Sequence, residues 1–230
     1  MLSYVSGNIV SAVEGLYSIF FPAECIMCKS YHEAEFRWLC PACSDDLIGM
    51  QVPGVVGAKL QNDVVMDVFC RWPFDEKLQG IIHAMKYRNH PSIGHRLGVL
   101  ADGVSIFCQS NEIILVPVPL HAARLLQRGF NQSKQICKGL ASRIPHLEIC
   151  DCLARKKKTS PQAQLENRKE RAENVRDAFV LLEKYKKYLA GRHLVLVDDV
   201  YTTGSTMREC AYALSSSGAQ KVSAFTLCRA

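Results

Sequence analysis

A chain of 230 residues is long enough for one medium domain and a small module, and 48% apolar with 22% charged residues places it among ordinary globular proteins. Its net charge of +6 is concentrated: between Arg155 and Arg192 twelve Lys or Arg stand against five Asp or Glu. Eleven cysteines, an odd number that includes two C-x-x-C pairs, argue against a secreted disulfide scaffold and for a reducing compartment, and every apolar run is too interrupted for an integral membrane segment.

At the N-terminus Leu2, Val5, Ile9, Val13, Leu16 and Phe20 recur at helical steps, with no Lys or Arg before them and no convincing cleavage site. A helix docking on protein is expected, a membrane-surface helix being the other reading. Cys25 and Cys28 then form one knuckle, and Cys40 and Cys43 a second, with eleven residues between. Four thiolates so spaced suit the corners of a tetrahedron around Zn2+, and a closed four-sulfur site leaves no position for water, so the metal is structural. His32 lies between the knuckles but is not needed as a ligand. The other cysteines read as buried thiols.

Val52 to Lys59 is small and contains Gly and Pro, as a linker would, which divides the chain into a helix and four-cysteine zinc-ribbon module over 1–58 and a larger domain over 59–230. A strand over DVVMDVFCRW follows, then a helix that Pro73 would open and Lys86 and Arg88 would cap in solvent, then a second helix over Ile93 to Phe107. Ile113 to Val116 has the apolar density of a strand covered on both faces. Pro117 and Pro119 stiffen the turn after it. That turn, with Pro119, Leu120, His121, Arg124 and Arg128, can hold a pyrophosphate, before a helix over Asn131 to Arg143.

Strands at Leu147 to Leu153 and Ala178 to Leu182 flank the basic connection, which contains Arg155, Lys156, Lys157, Lys158, Arg168 and Arg171. A solvated face and an anion-binding loop, for pyrophosphate or a nucleic-acid backbone, are both open. Next comes HLVLVDDVYTTGST, a strand, a turn and a helix start, and finally a strand over VSAFTLC. The alternation of strands and helices implies an α/β fold with a mostly parallel sheet.

The acidic turn carries the chemistry. A helix N-terminus offers unpaired N–H groups and a positive dipole end, which suit phosphate. Asp198 and Asp199 beside it would repel phosphate, so they suit sugar hydroxyls or a divalent cation. A phosphorylated sugar is the ligand this predicts. The segment resembles the phosphoribosyl pyrophosphate (PRPP) motif of type I phosphoribosyltransferases. By that resemblance Asp198 and Asp199 address the ribose diol, and Thr202, Thr203, Gly204, Ser205 and Thr206 wrap the 5′-phosphate.

Four features in order extend the resemblance to nearly the whole chain: the Cys knuckles, V-P-V-P-L-H-x-x-R with R-G-F-N-Q, a stretch from Thr159 through Gln162 and Leu165 to Ala178 and Phe179, and V-D-D-V-x-T-T-G-S-T. Together they resemble the ComF (ComFC) family of phosphoribosyltransferase-like proteins. The resemblance implies a bacterial, cytoplasmic, zinc-stabilised protein that binds PRPP with Mg2+ and acts in natural transformation, handling incoming single-stranded DNA beside other uptake proteins. The competing reading is an active phosphoribosyltransferase, in which Asp198 and Asp199 stabilise charge developing at the sugar for an unidentified nitrogen nucleophile. Tyr185 and Tyr188 are the candidate stacking platforms for a strand.

Overall fold

The fold was analysed as a computed structural model, which describes residues 23–33, 36–50, 54–59, 65–88, 90–101, 113–144, 147–156 and 178–230. The expected N-terminal helix, the end of the helix expected at 93–107, and the basic residues Lys157, Lys158, Arg168 and Arg171 lie outside them. The chain divides into two compact units, Met1–Gly49 and Met50–Ala230.

In the smaller unit β1 (Ala23–Glu24) pairs antiparallel with β2 (Tyr31–His32), and α1 (Pro41–Gly49) starts directly after Cys40. Between the two strands the chain turns tightly through Lys29, which has φ 63°. Among its described residues Leu39 and Leu47 are the fully buried aliphatic side chains.

The larger unit is built on a six-stranded sheet of β3 (Gly54–Lys59), β4 (Val65–Pro73), β5 (Ile113–Pro117), β6 (Glu148–Ile149), β9 (His193–Tyr201) and β10 (Lys221–Arg229), in the order β3-β4-β10-β9-β5-β6. The strands from β4 to β6 are parallel, as expected, while β3 runs antiparallel on β4. Gly54–Lys59 is therefore an edge strand and not a linker. Its small residues, which removed the alternating pattern of a strand, are tolerated because pairing is carried by backbone hydrogen bonds along one side only.

Among the described residues four helices follow β4 and β5. They are α2 (Glu76–Tyr87), α3 (Pro91–Ala101) and, after a short α4 (Ala122–Arg128), α5 (Gln132–Arg143). Pro73 ends β4 and does not open α2; the N-cap is Asp75, whose carboxylate accepts from Leu78 N at 2.7 Å. Separate from this sheet, β7 (Leu153–Arg155) and β8 (Phe179–Leu181) form a two-stranded antiparallel ladder. The strand expected at 147–153 is thus two pieces in two sheets. After a single helical turn, α6 (Lys186–Leu189), β9 leads into α7 (Ser205–Leu214).

Met207, Cys210, Ala211 and Leu214 of α7 pack in one cluster with Ile114, Val116, Leu194 and Leu196, and with Leu153 and Phe179 of the ladder. Ile113, Leu115, Val195 and Val197 alternate with these along β5 and β9 and are as fully buried, so they face the opposite side. There α5 lies against β5 and β9, and α3 against α5. A Cβ on Gly139 of α5 would sit 2.0 Å from His95 O, and one on Gly98 of α3 would sit 2.4 Å from Ile136 O. The two helices touch backbone to backbone.

Candidate functional site

The carboxyl ends of β4, β5, β9 and β10 are tied into one edge. Val118 N donates to Val197 O at 3.0 Å, Phe74 N to Arg229 O at 3.2 Å, and Ala230 N to Tyr201 O at 2.9 Å. A cleft of about 750 Å³ opens there, with Asp198, Asp199, Thr202, Gly204, Ser205 and Thr206 along one side. Crevices outside the carboxyl ends of such strands are where ligands enter parallel sheets. Pro119, Leu120, Arg124 and Arg128 also line it, so the structure brings the proline turn and the acidic turn together. His121 and Thr203 do not face the cleft and instead shape its loops. His121 Nδ1 caps α4 by accepting from Ala123 N, and the Thr203 hydroxyl is 3.0 Å from that of Ser205.

Gly204 sets up the phosphate-type turn. Its φ of 71° lies in the left-handed region, and an added Cβ would fall 2.5 Å from the Tyr201 hydroxyl, so only glycine fits. It is the N-cap of α7 and provides no side-chain cap, so the helix opens toward the cleft. Arg208 Nη1 donates to Thr203 O at 2.9 Å and braces the turn from behind.

Asp198 Oδ1 accepts from Ser133 Oγ and from Asp199 N, both at 2.9 Å. Burial, then the negative charge of Asp199, pushes the Asp198 carboxyl up to about 7, while Lys86 partly opposes the shift. Asp199 is 4% exposed, and Lys86 Nζ lies 2.8 Å from its Oδ2. The pair is a charge-assisted contact at hydrogen-bond distance, and the remaining lone pairs of the carboxylate are acceptors suited to a hydroxyl or a cation. For Lys86, burial alone would lower the ammonium pKa, but Asp199 and Asp198 outweigh it and hold the pKa above its usual value.

Arg124, Arg128 and Arg155 line the same cleft as the carboxylates. Arg155 was expected in the basic loop; it sits at the end of β7 in the cleft wall, half-buried, with its guanidinium 5.2 Å from the Phe179 ring centre. Burial lowers the pKa of Arg124, as does Arg128, and burial then Arg124 lower that of Arg155. Like charges crowded into a cleft are relieved by a polyanion. Lys156 is exposed, and its N–H donates to Ala178 O at 2.8 Å, so both ends of the basic connection are joined beside this wall.

Sequence reasoning missed a chain of positioning contacts. Asn131 Nδ2 donates to Val118 O at 3.0 Å in the proline turn, while its Oδ1 accepts from Ser133 N and caps α5. Gln132 is buried and accepts from Arg128. Turn, helix and Asp198 are therefore linked through Asn131 and Ser133. The signal for Asn131 was available as an N-cap type before an apolar-periodic run. Tyr188 is already engaged by Glu148, to which its hydroxyl donates, and by Arg192, whose guanidinium lies 4.6 Å from the ring centre; Tyr185 packs against the core.

In the smaller unit the sulfur atoms of Cys25, Cys28, Cys40 and Cys43 all lie within 4.8 Å of one another. The 3.7 Å between Cys28 and Cys40 Sγ matches the edge of about 3.8 Å that a tetrahedron with 2.3 Å metal–sulfur bonds requires. The Ser30 hydroxyl and backbone hold the exposed Cys28 thiol down to about 6, ready to ligate as thiolate. Burial pushes the Cys43 thiol up, a shift that a bound cation would reverse. Among the described residues no other group of three or more His, Cys, Asp or Glu is close enough to hold a metal. Cys150 and Cys152 are buried, and burial raises Cys152 to about 12. No helix among the described residues is long and apolar enough to cross a membrane.

Comparison with known proteins agrees with this geometry. Residues 127–230 match the Phosphoribosyl transferase domain. DNA utilization protein YhgH of Salmonella typhi is 34% identical over 154 residues, 65% of this chain and 66% of that protein, so the chain spans just under two thirds of its length. Competence protein F of Haemophilus influenzae is 28% identical over 228 residues, 92% of this chain and 99% of that protein. Competence protein ComFC of Bacillus subtilis is 32% identical over 175 residues, 73% and 61% respectively. The chain thus belongs to the ComF family and has the phosphoribosyltransferase-like fold.

Proposed function

We propose that this protein binds PRPP with Mg2+ and acts in DNA uptake, handling single-stranded DNA in the cytoplasm. The observation that carries the PRPP site is the meeting of an acidic pair, an uncapped helix N-terminus and three guanidinium groups in one cleft. Asp198 and Asp199 would take the ribose diol and its Mg2+; Thr202 to Thr206 would take the 5′-phosphate; Arg124, Arg128 and the turn at Pro119 and Leu120 would take the pyrophosphate. The divalent ion would supply charge neutralisation between pyrophosphate and carboxylates. DNA handling is supported by the names of the relatives and by the basic connection that leaves the cleft wall at Lys156. Zn2+ is the metal proposed for the cysteine cluster.

PRPP with Mg2+, at about a hundredfold above its Kd, should stabilise the protein by about 2.7 kcal/mol, read as a rise in Tm. Asp198→Asn with Asp199→Asn should abolish the rise; a double variant that still responds would place the site elsewhere. An active transferase is the second reading, favoured by a cleft larger than its phosphate-binding turn. Pyrophosphate release with a panel of bases would establish it.

The raised Asp198 pKa gives the binding a pH dependence. Asp198 must be ionised to serve a sugar diol or Mg2+, so affinity should rise as pH passes upward through about 7. Because Lys86 lowers the Asp198 pKa, Lys86→Met should shift that midpoint to higher pH. Titrations of PRPP at several pH values would show it, and an unmoved midpoint would mean that Lys86 does not act on Asp198.

A further inference from the structure

Between β8 and β9 the chain forms a pinned segment of nearly one sign. From Glu183 to Arg192 it carries Lys184, Lys186, Lys187 and Arg192 against a single carboxylate, Glu183. Packing accounts for the apolar side chains here: Leu189 is fully buried, and Leu181 and Tyr185 pack against the core. The backbone is held at both ends, by Leu182 N donating to Cys152 O at 2.8 Å and by Gly191 N donating to Gly218 O at 2.9 Å. Two rings are held as well. Lys184 Nζ lies 4.9 Å from the Tyr185 ring centre, and Tyr188, with the Arg192 guanidinium 4.6 Å from its own centre, donates its hydroxyl to Glu148.

The fold does not use up these charges. Arg192 pairs with Glu148 at 2.8 Å, and Lys186 has Glu183 at 3.9 Å, an exposed pair that holds little in water. Among the described residues no carboxylate pairs with Lys184 or Lys187, and both are exposed. A merely solvated face mixes signs, whereas clustered ammonium groups attract a polyanion. Because this backbone is already ordered, a partner would bind it with little further loss of chain freedom. Position separates the segment from the sugar-phosphate cleft. Arg192 immediately precedes β9, whose far end carries Asp198 and Asp199, and the nine residues of that strand span on the order of 25 Å. Ala178, which accepts from Lys156 N, immediately precedes β8, so exposed cations follow the chain from the cleft wall to the amino edge of the sheet.

We infer that the Glu183–Arg192 ridge binds the phosphate backbone of single-stranded DNA outside the cleft, with Lys184 and Lys187 as its open contacts. Both rings already carry a cation, so the contact is to phosphate and has no base preference. The choice of a single strand as occupant rests on the DNA-uptake reading; the surface rests on its charge and its placement.

The test uses the full chain, without PRPP, and a thymidine 12-mer titrated between about 50 and 200 mM salt. Lys184→Ala with Lys187→Ala should reduce the slope of log K against log salt by about 1.4, the value for two single-strand phosphate contacts, which is about 25-fold weaker binding at about 0.1 M salt when the lines meet near 1 M. Lys184→Arg with Lys187→Arg should keep the wild-type slope. Lys77→Ala with Lys138→Ala removes the same charge from two other exposed positions and should also keep it. A ridge pair with the wild-type slope overturns the inference, and so does a control pair that loses as much, since binding would then follow net charge alone. A duplex of the same length, or phosphatidylserine vesicles, competing as well as the strand would overturn the single-strand assignment. Failure of the DNA reading itself would appear in wild type, as no binding at any salt, and would take the ridge with it; failure of the ridge alone leaves wild-type binding in place.

Discussion

Gly139→Ala is expected to destabilise the larger unit by about 3 kcal/mol or more, an effect at the upper end of overpacking. Two terms oppose each other. In a helix interior the exchange of Gly for Ala ordinarily gains about 1 kcal/mol. At Gly139 the new methyl would meet His95 O at 2.0 Å, Val99 N at 2.8 Å and Gly98 Cα at 2.9 Å, all backbone atoms of α3. A backbone cannot rotate away as a side chain would, so the helices must separate and the clash wins. Gly80→Ala is the matched control, since nothing lies within 4 Å of its added Cβ on α2. It should gain up to about 1 kcal/mol. Urea unfolding of both variants measures the contrast, and a Gly139→Ala protein as stable as wild type would mean that the helices part cheaply.

The same substitution reaches the site. The N-terminus of α5 carries Asn131 and Ser133, which hold the proline turn at Val118 O and the carboxylate at Asp198 Oδ1. Displacing α5 from α3 moves both ends of that link. PRPP affinity should therefore fall more than the stability loss alone requires, as expected when positioning residues shift by a fraction of an ångström.

What could be read from the sequence was what local spacing fixes. The run from Ile113 to Val116 announces a doubly covered strand because every residue is apolar. The acidic turn announces its local structure because Asp198, Asp199, Gly204 and the hydroxyls follow one another on a single strand, turn and helix. The cysteine knuckles were likewise legible, since each pair is a local unit. Contacts between distant segments were not. Lys86 has the sequence context of an ordinary helix end, and only the approach of α2 to β9 makes it the partner of Asp199. Arg155 reads as part of a charge run until the β7–β8 ladder turns it into the cleft. Gly98 and Gly139 each look like a tolerated helix glycine; the reason for them exists only in the pair.

Chelation of Zn2+, or Cys28→Ser with Cys40→Ser, is expected to have the largest effect of all, confined in its readout to the smaller unit. Among its described residues that unit has two two-residue strands and a nine-residue helix, with Leu39 and Leu47 as the fully buried aliphatic side chains, which is little apolar burial to offset the ordering of that backbone. A four-thiolate zinc site contributes apparent binding energies of about 10–16 kcal/mol in small peptides, which exceeds any packing term such a unit can supply. Its first knuckle is held by Cys25 N to Ser30 O and Lys29 N to Cys25 O, both 2.9 Å, and its link to the second by Ile26 N to Trp38 O at 3.0 Å. Those three amides should exchange slowly in the metal-loaded protein and rapidly once the metal is removed. Elemental analysis should return a single zinc per chain in wild type and essentially none in the double variant. Retained protection at Ile26 and Lys29 without metal would show that packing alone holds the knuckles, and the metal would then be a passenger.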